Sequence, residues 1–112
     1  MGRERLAHRL VERGARTTLQ DAATLGLTDR LERSFAGPTR PEPDDVNRAL
    51  WGACHGGQQQ CAAYLLDRGA DINWIPAWEN LTPLDAAIRS GAVDLADWLR
   101  SRGAETAVEL RR

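Results

Sequence analysis

Two stretches of the chain share one pattern of apolar and polar positions. Arg48 to Asp71 reads RALWGACHGGQQQCAAYLLDRGAD, and Thr82 to Glu105 reads TPLDAAIRSGAVDLADWLRSRGAE. They align without a gap: Leu50 recurs as Leu84, Ala53 as Ala87, Gly57 as Gly91, Leu65 as Leu99 and Gly69-Ala70 as Gly103-Ala104, each 34 residues on. Each copy opens with a short run of Leu and Ala and breaks at a Gly. A longer stripe comes next, in which apolar side chains return every three or four residues until Arg-Gly-Ala closes it. That spacing predicts two helices per copy, the second amphipathic, with the closing Gly as a left-handed cap.

The upstream chain repeats the pattern more loosely. Leu19-Gln20-Asp21-Ala22-Ala23-Thr24-Leu25-Gly26 predicts another first helix, and Leu27, Leu31 and Phe35 form the apolar stripe of its second helix. Leu6, Leu10 and Val11, ahead of Glu12-Arg13-Gly14-Ala15, predict a second helix and cap with no first helix in front. The expected organisation is one array: a half repeat over 1–15, a repeat over 16–46, a repeat over 47–80, a closing repeat over 81–105 and a tail over 106–112. A two-helix unit cannot bury its own apolar face, so such units stack and share one elongated core. In the closing repeat Arg100 and Ser101 stand where the middle repeat has Leu66 and Asp67, a polar swap that suits a capping unit. Val108 and Leu110 of the tail are candidates to lie back on the last helix.

On these residues the sequence resembles the ankyrin repeat family. Thr82-Pro83-Leu84-Asp85-Ala86-Ala87 matches the family's Thr-Pro-Leu-His-x-Ala signature with Asp in place of His, and Gly69-Ala70-Asp71-Ile72-Asn73 is similar to its entry into a hairpin. Asn-Trp-Ile-Pro ahead of Leu-Thr-Pro-Leu also resembles a bacterial subgroup. The resemblance implies an all-α ankyrin repeat solenoid of stacked helix-turn-helix units with hairpin loops. Its logic agrees with the residues: Thr82 can cap its helix, Pro83 occupies the first helical position, and Asp85 adds negative charge to the first turn.

The chain departs from that pattern in places. Gly37 to Asp45, GPTRPEPDD, stands where a regular hairpin belongs; with three Pro it predicts an exposed loop over 37–45. The last hairpin, Gly69 to Thr82, is one residue longer than the resemblance implies and carries Trp74, Ile75, Pro76 and Trp78.

Charge narrows the function classes. The 112 residues hold 15 basic and 16 acidic side chains, a formal net charge of −1, so the basic surplus that gathers phosphates is missing and nucleic acid is excluded as a partner. Every basic residue is Arg, which cannot serve as a tunable base. No apolar run reaches the roughly 18 residues of a membrane span, and Met-Gly-Arg-Glu-Arg leads into no signal-peptide core, so the expected address is cytoplasmic, without a membrane partner.

Candidate chemistry is sparse. Cys54 and Cys61 sit among Ala, Gly and Leu and read as buried apolar thiols; with His55 they lack a fourth ligand for zinc. His8 lies on a charged helix face. No phosphate loop, nucleophile elbow or paired His appears, so no enzyme and no cofactor is expected. The resemblance implies instead a groove lined by hairpin tips and the exposed side of the first helices. It would receive Ile75, Trp78 and Glu79 from the long hairpin, Arg89 and Ser90 from one helix, and His55 and Gly56 from the preceding one. Trp74, at the hairpin base, is free to point either way. Two Trp beside an Arg and a His is a mix that interface hot spots favour; the competing reading, that Trp74 and Trp78 fold on each other to stiffen the hairpin, stays open. Trp51 holds the signature His position and is expected to fill space against the neighbouring hairpin, while Tyr64 and Trp98 read as packing residues. Most Arg punctuate helix ends, as in Arg13-Gly14, Arg68-Gly69 and Arg102-Gly103, leaving Arg89 and Arg48 to meet a partner.

The expected function is a non-catalytic protein-protein interaction module of a bacterial cytoplasm, binding a protein partner through that groove. The alternative is a C-terminal structural fragment of a larger ankyrin protein that self-associates through its N-terminal face, a homodimer through Leu6, Leu10 and Val11.

Overall fold

The structure, a computed structural model, describes residues 15–37 and 41–111. Among them are seven helices and no strand: α1 (Ala15–Leu25), α2 (Thr28–Ala36), α3 (Pro43–His55), α4 (Gln59–Asp67), α5 (Pro83–Arg89), α6 (Val93–Ser101) and the single turn α7 (Ala107–Leu110). Leu6, His8, Leu10, Val11 and the Arg13-Gly14 cap lie outside the described residues.

Helices pair as α1 with α2, α3 with α4 and α5 with α6, and α3 packs between α1 and α5. One Leu recurs at the same depth through the pairs: Leu31, Leu50, Leu65, Leu84 and Leu99 are all fully buried. Small residues set the spacing. Ala22, Ala23, Ala49, Ala53 and Ala87 are buried on the first helices, where a larger side chain would force the stack apart. At Gly56, the C-cap of α3, any Cβ would collide with the carbonyl oxygen of Thr24 on α1.

The second helices end as the spacing predicts. Arg68 and Arg102 are C-caps of α4 and α6, and Gly69 and Gly103 come next at a φ of 96°, a conformation that disfavours any side chain. Both Arg also fold back on an aromatic ring four residues earlier. Arg68 lies 4.6 Å from the ring centre of Tyr64 and Arg102 lies 4.6 Å from that of Trp98. Tyr64 and Trp98 are half-buried against the core, as expected of packing residues.

Three expectations need correction. The predicted loop over 37–45 is shorter: its last three residues are the first turn of α3, with Pro43 at the helix start and Asp44 and Asp45 in the first turn, where their charge suits the helix dipole. Leu27 does not belong to the buried stripe of α2; it is the exposed N-cap, and Leu31 carries the burial. The tail does not lie back through Val108 and Leu110, which are exposed; Ala107 is the buried residue of α7. A capping box builds that turn: the Glu109 amide donates to the Thr106 hydroxyl at 3.1 Å, and the Thr106 amide donates to the Glu109 carboxylate at 2.8 Å. These bonds from the Thr106 backbone and side chain, with Arg100 beside them at 3.4 Å, hold the Glu109 carboxyl below its ordinary range.

Candidate functional site

Arg48, Trp51 and His55 are spaced three and four apart and so share one face of α3. Trp51 is 9% exposed. Its indole N–H donates to the Leu81 carbonyl at 3.2 Å, tying α3 to the far end of the long loop. The expected role of Trp51 against the neighbouring hairpin is thus observed. Its ring also stacks on His55, with centroids 5.5 Å apart and planes 14° from parallel.

The loop between α4 and α5 is pinned to its neighbours by side chains rather than by a strand ladder. The Asp71 amide donates to Asn47 of α3 at 2.8 Å, and the Asn73 amide donates to the Asp71 carboxylate at 3.0 Å. Pro76 is fully buried, which turns its neighbours outward. Trp78 is 52% exposed, yet it meets Trp51 edge-on at 6.4 Å and Trp74 edge-on at 6.1 Å. The Arg48 guanidinium lies over the Trp78 ring, 5.1 Å from its centre. Of the two readings of the Trp pair, the structure shows the packing of the cluster on itself, with Trp78 still half in water.

The end of α5 completes the arrangement. The Ser90 hydroxyl reaches both the Ala86 carbonyl, at 2.9 Å, and the His55 carbonyl, joining the ends of α3 and α5. Arg89 pairs with Glu79 at 3.9 Å; both side chains are exposed, so the pair contributes little to stability and leaves most of the polar capacity of both residues open.

Together α3, the loop and α5 enclose a recess of about 260 Å³. Trp51, Leu81 and Ala86 line its apolar part, while His55, Glu79, Arg89 and Ser90 supply polar groups. Four of the expected groove residues, His55, Glu79, Arg89 and Ser90, come together there. Trp78 stands beside the recess on the edge of Trp51. Ile75 is exposed but does not line it, and Trp74 is half-buried against the core. Gly56 faces Thr24 of α1 instead. Trp51, Leu81 and Ala86 are additions to the expected lining. The spacing of Arg48, Trp51 and His55 is the signal that places Trp51 there.

This arrangement can hold an apolar side chain and hydrogen-bond its flanks. Cys54 of α3 is fully buried, and burial pushes its thiol up to about 12, so it stays protonated at neutral pH. Cys61 is buried too, with its sulfur 3.6 Å from the Thr28 hydroxyl. Among the described residues no cluster of three or more His, Cys, Asp or Glu side chains could hold a metal ion, and no helix is long and apolar enough to cross a membrane. The family model for ankyrin repeats, in three copies, matches residues 2–109. No curated protein matches the chain.

Proposed function

The chain belongs to the ankyrin repeat family, whose repeats are generally protein-protein interaction modules and typically non-catalytic, and from that premise we propose that it docks a partner protein through the recess between α3, the long loop and α5. The observation that supports this reading is the convergence of Trp51, His55, Glu79, Leu81, Arg89 and Ser90 from three elements around one opening. A bulky apolar or aromatic side chain of the partner enters over Trp51, Leu81 and Ala86. The flanking partner backbone then takes hydrogen bonds from Arg89 and gives them to Glu79. The exposed part of Trp78 closes over the inserted side chain, and Ile75 extends the contact along the same loop. Desolvated aromatic anchors beside an Arg are the groups that cost about 2 kcal/mol or more when truncated at interfaces.

The test is recovery of a partner from cell extract by wild type, by Trp78→Ala combined with Arg89→Ala, and by Asp97→Ala on the exposed side of α6. The expected result is recovery by the first and third and loss by the second. Equal recovery by all three removes the recess as the docking site.

A further inference from the structure

We propose that Arg48 is a positioning residue: it holds Trp78 in place for the docking surface without meeting the partner through its own charge. The inference deepens the proposed function and rests on that reading for its biological consequence, but its physical content concerns the chain alone.

Across the loop from Asp71 to Leu81, the internal backbone hydrogen bonds run from Trp74 to the Asp71 carbonyl, at 3.2 Å, and from Glu79 to the Pro76 carbonyl, at 3.3 Å. Neither spans the tip from base to base, and although the second closes the turn that carries Trp78, backbone bonds do not set the side-chain torsions that aim its ring. Side chains do. Trp74 and Trp51 meet the ring edge-on, and the Arg48 guanidinium covers it. The result is a continuous series from Arg48 through Trp78 and Trp51 to His55, in which every step is a ring contact. Arg suits the first place because a planar, weakly hydrated cation stacks where an ammonium stays solvated. The Arg48 Nε is buried and has no hydrogen-bond partner among the described residues, while the guanidinium carbon sits 5.1 Å from the Trp78 ring centre. Arg48 itself does not line the recess. A cation held over a half-exposed indole orders that indole, and the part of Trp78 that stays in water is what it presents to a ligand.

Edge-on Trp pairs 6 to 7 Å apart couple their transitions and give a couplet in the ultraviolet circular dichroism spectrum; Trp51–Trp78 and Trp74–Trp78 are such pairs, at 6.4 and 6.1 Å. Trp78→Phe sets the zero of that signal. In Arg48→Met, which keeps the length and apolar stem but not the cation, the couplet should be lost, and exchange of the Glu79 amide should quicken about 5-fold. The melting temperature should stay close to wild type. Arg48→Lys keeps the charge but not the plane, and should behave like Arg48→Met. An unchanged couplet and exchange rate in Arg48→Met overturns the proposal, as does full restoration of both by Arg48→Lys. These readouts need no partner. They can fail while the recovery assay succeeds, or succeed while it fails, so the two readings are separable.

Discussion

Helices α3 and α5 occupy matching places in the aligned stretches, and they tie themselves to the next unit with opposite polarity. Leu50 and Leu84 are both fully buried, as are Ala53 and Ala87, so the two units match at these core positions. One residue beyond each Leu they diverge. Trp51 donates its indole N–H to the Leu81 carbonyl of the next loop, whereas Asp85 accepts from the Ala107 amide at 2.8 Å and from the Thr82 amide at 3.1 Å. A donor tip suits a neighbour that presents a carbonyl. An acceptor suits the first turn of a helix, where amides are unpaired, and α7 supplies one. The Thr82 hydroxyl adds a bond to the Glu105 carbonyl at 2.7 Å, so α5 closes on its neighbour through polar contacts. The α3 side closes by aromatic contact, and it is there that the recess forms.

Breaking the aromatic tie should have the largest effect. Trp51→Ala removes the floor of the recess, the stack on His55 and the bond to Leu81, and should destabilise the chain by about 4 kcal/mol in denaturant unfolding. Trp51→Phe retains a ring and loses the bond, at about 1 kcal/mol. Similar values for the two would mean that the hydrogen bond, not packing, carries the α3 side.

The same two helices differ next at their ends. Gly56 and Ser90 are equivalent, yet a Cβ at Gly56 would press on the Thr24 backbone, while Ser90 has room and bonds to the His55 carbonyl. Because the obstruction is backbone rather than a movable side chain, Gly56→Ala should cost about 3 kcal/mol. Ser90→Ala should cost about 1 kcal/mol or less. A tolerant Gly56 would show that α1 can move away from α3.

On the polar side, Asp85→Ala removes the carboxylate half of the Thr82 capping box and the α7 tie together and should cost about 2 kcal/mol. Its specific mark is faster exchange of the Ala107 amide. A loss of stability with that amide still protected would assign the effect to the cap and leave α7 held by other contacts.

Legibility in the sequence divides along the same line. Local chemistry is readable: the Thr82 cap, the closing glycines, and the Leu and Ala positions of the core all come from spacing. Contacts between units are not. The helix α3 is longer than α5, 13 residues against seven, and its first three are hidden because three Pro suggest a loop, although Pro43 with Asp44 and Asp45 behind it is a helix start. Within the long loop, periodicity cannot tell that Pro76 is buried and Ile75 exposed, because no regular element sets which way each side chain points. The site is readable to the extent that His55, Glu79, Arg89 and Ser90 meet. Trp51 reads only as filler, since a side chain 9% exposed can both fill a core and line a recess.

The smallest effect on stability belongs to a pair that tests how the two helices are covered. Cys54 and Ile88 are equivalent, but Cys54 is fully buried and Ile88 is 49% exposed. Alkylation requires a thiolate that the reagent can reach. At pH 8 the Cys54 thiol, raised to about 12 by desolvation, offers neither thiolate nor access, so native wild type should take up label only through rare opening. Ile88→Cys places a thiol on the outer face of α5 and should label at the rate of a small free thiol, with stability almost unchanged because the site is half in water. Rapid labelling of Cys54 would mean that α3 is not closed between its neighbours. Protection of the introduced thiol would mean that the outer face of α5 is covered in solution, and protection that fades on dilution would identify the cover as a second copy of the chain.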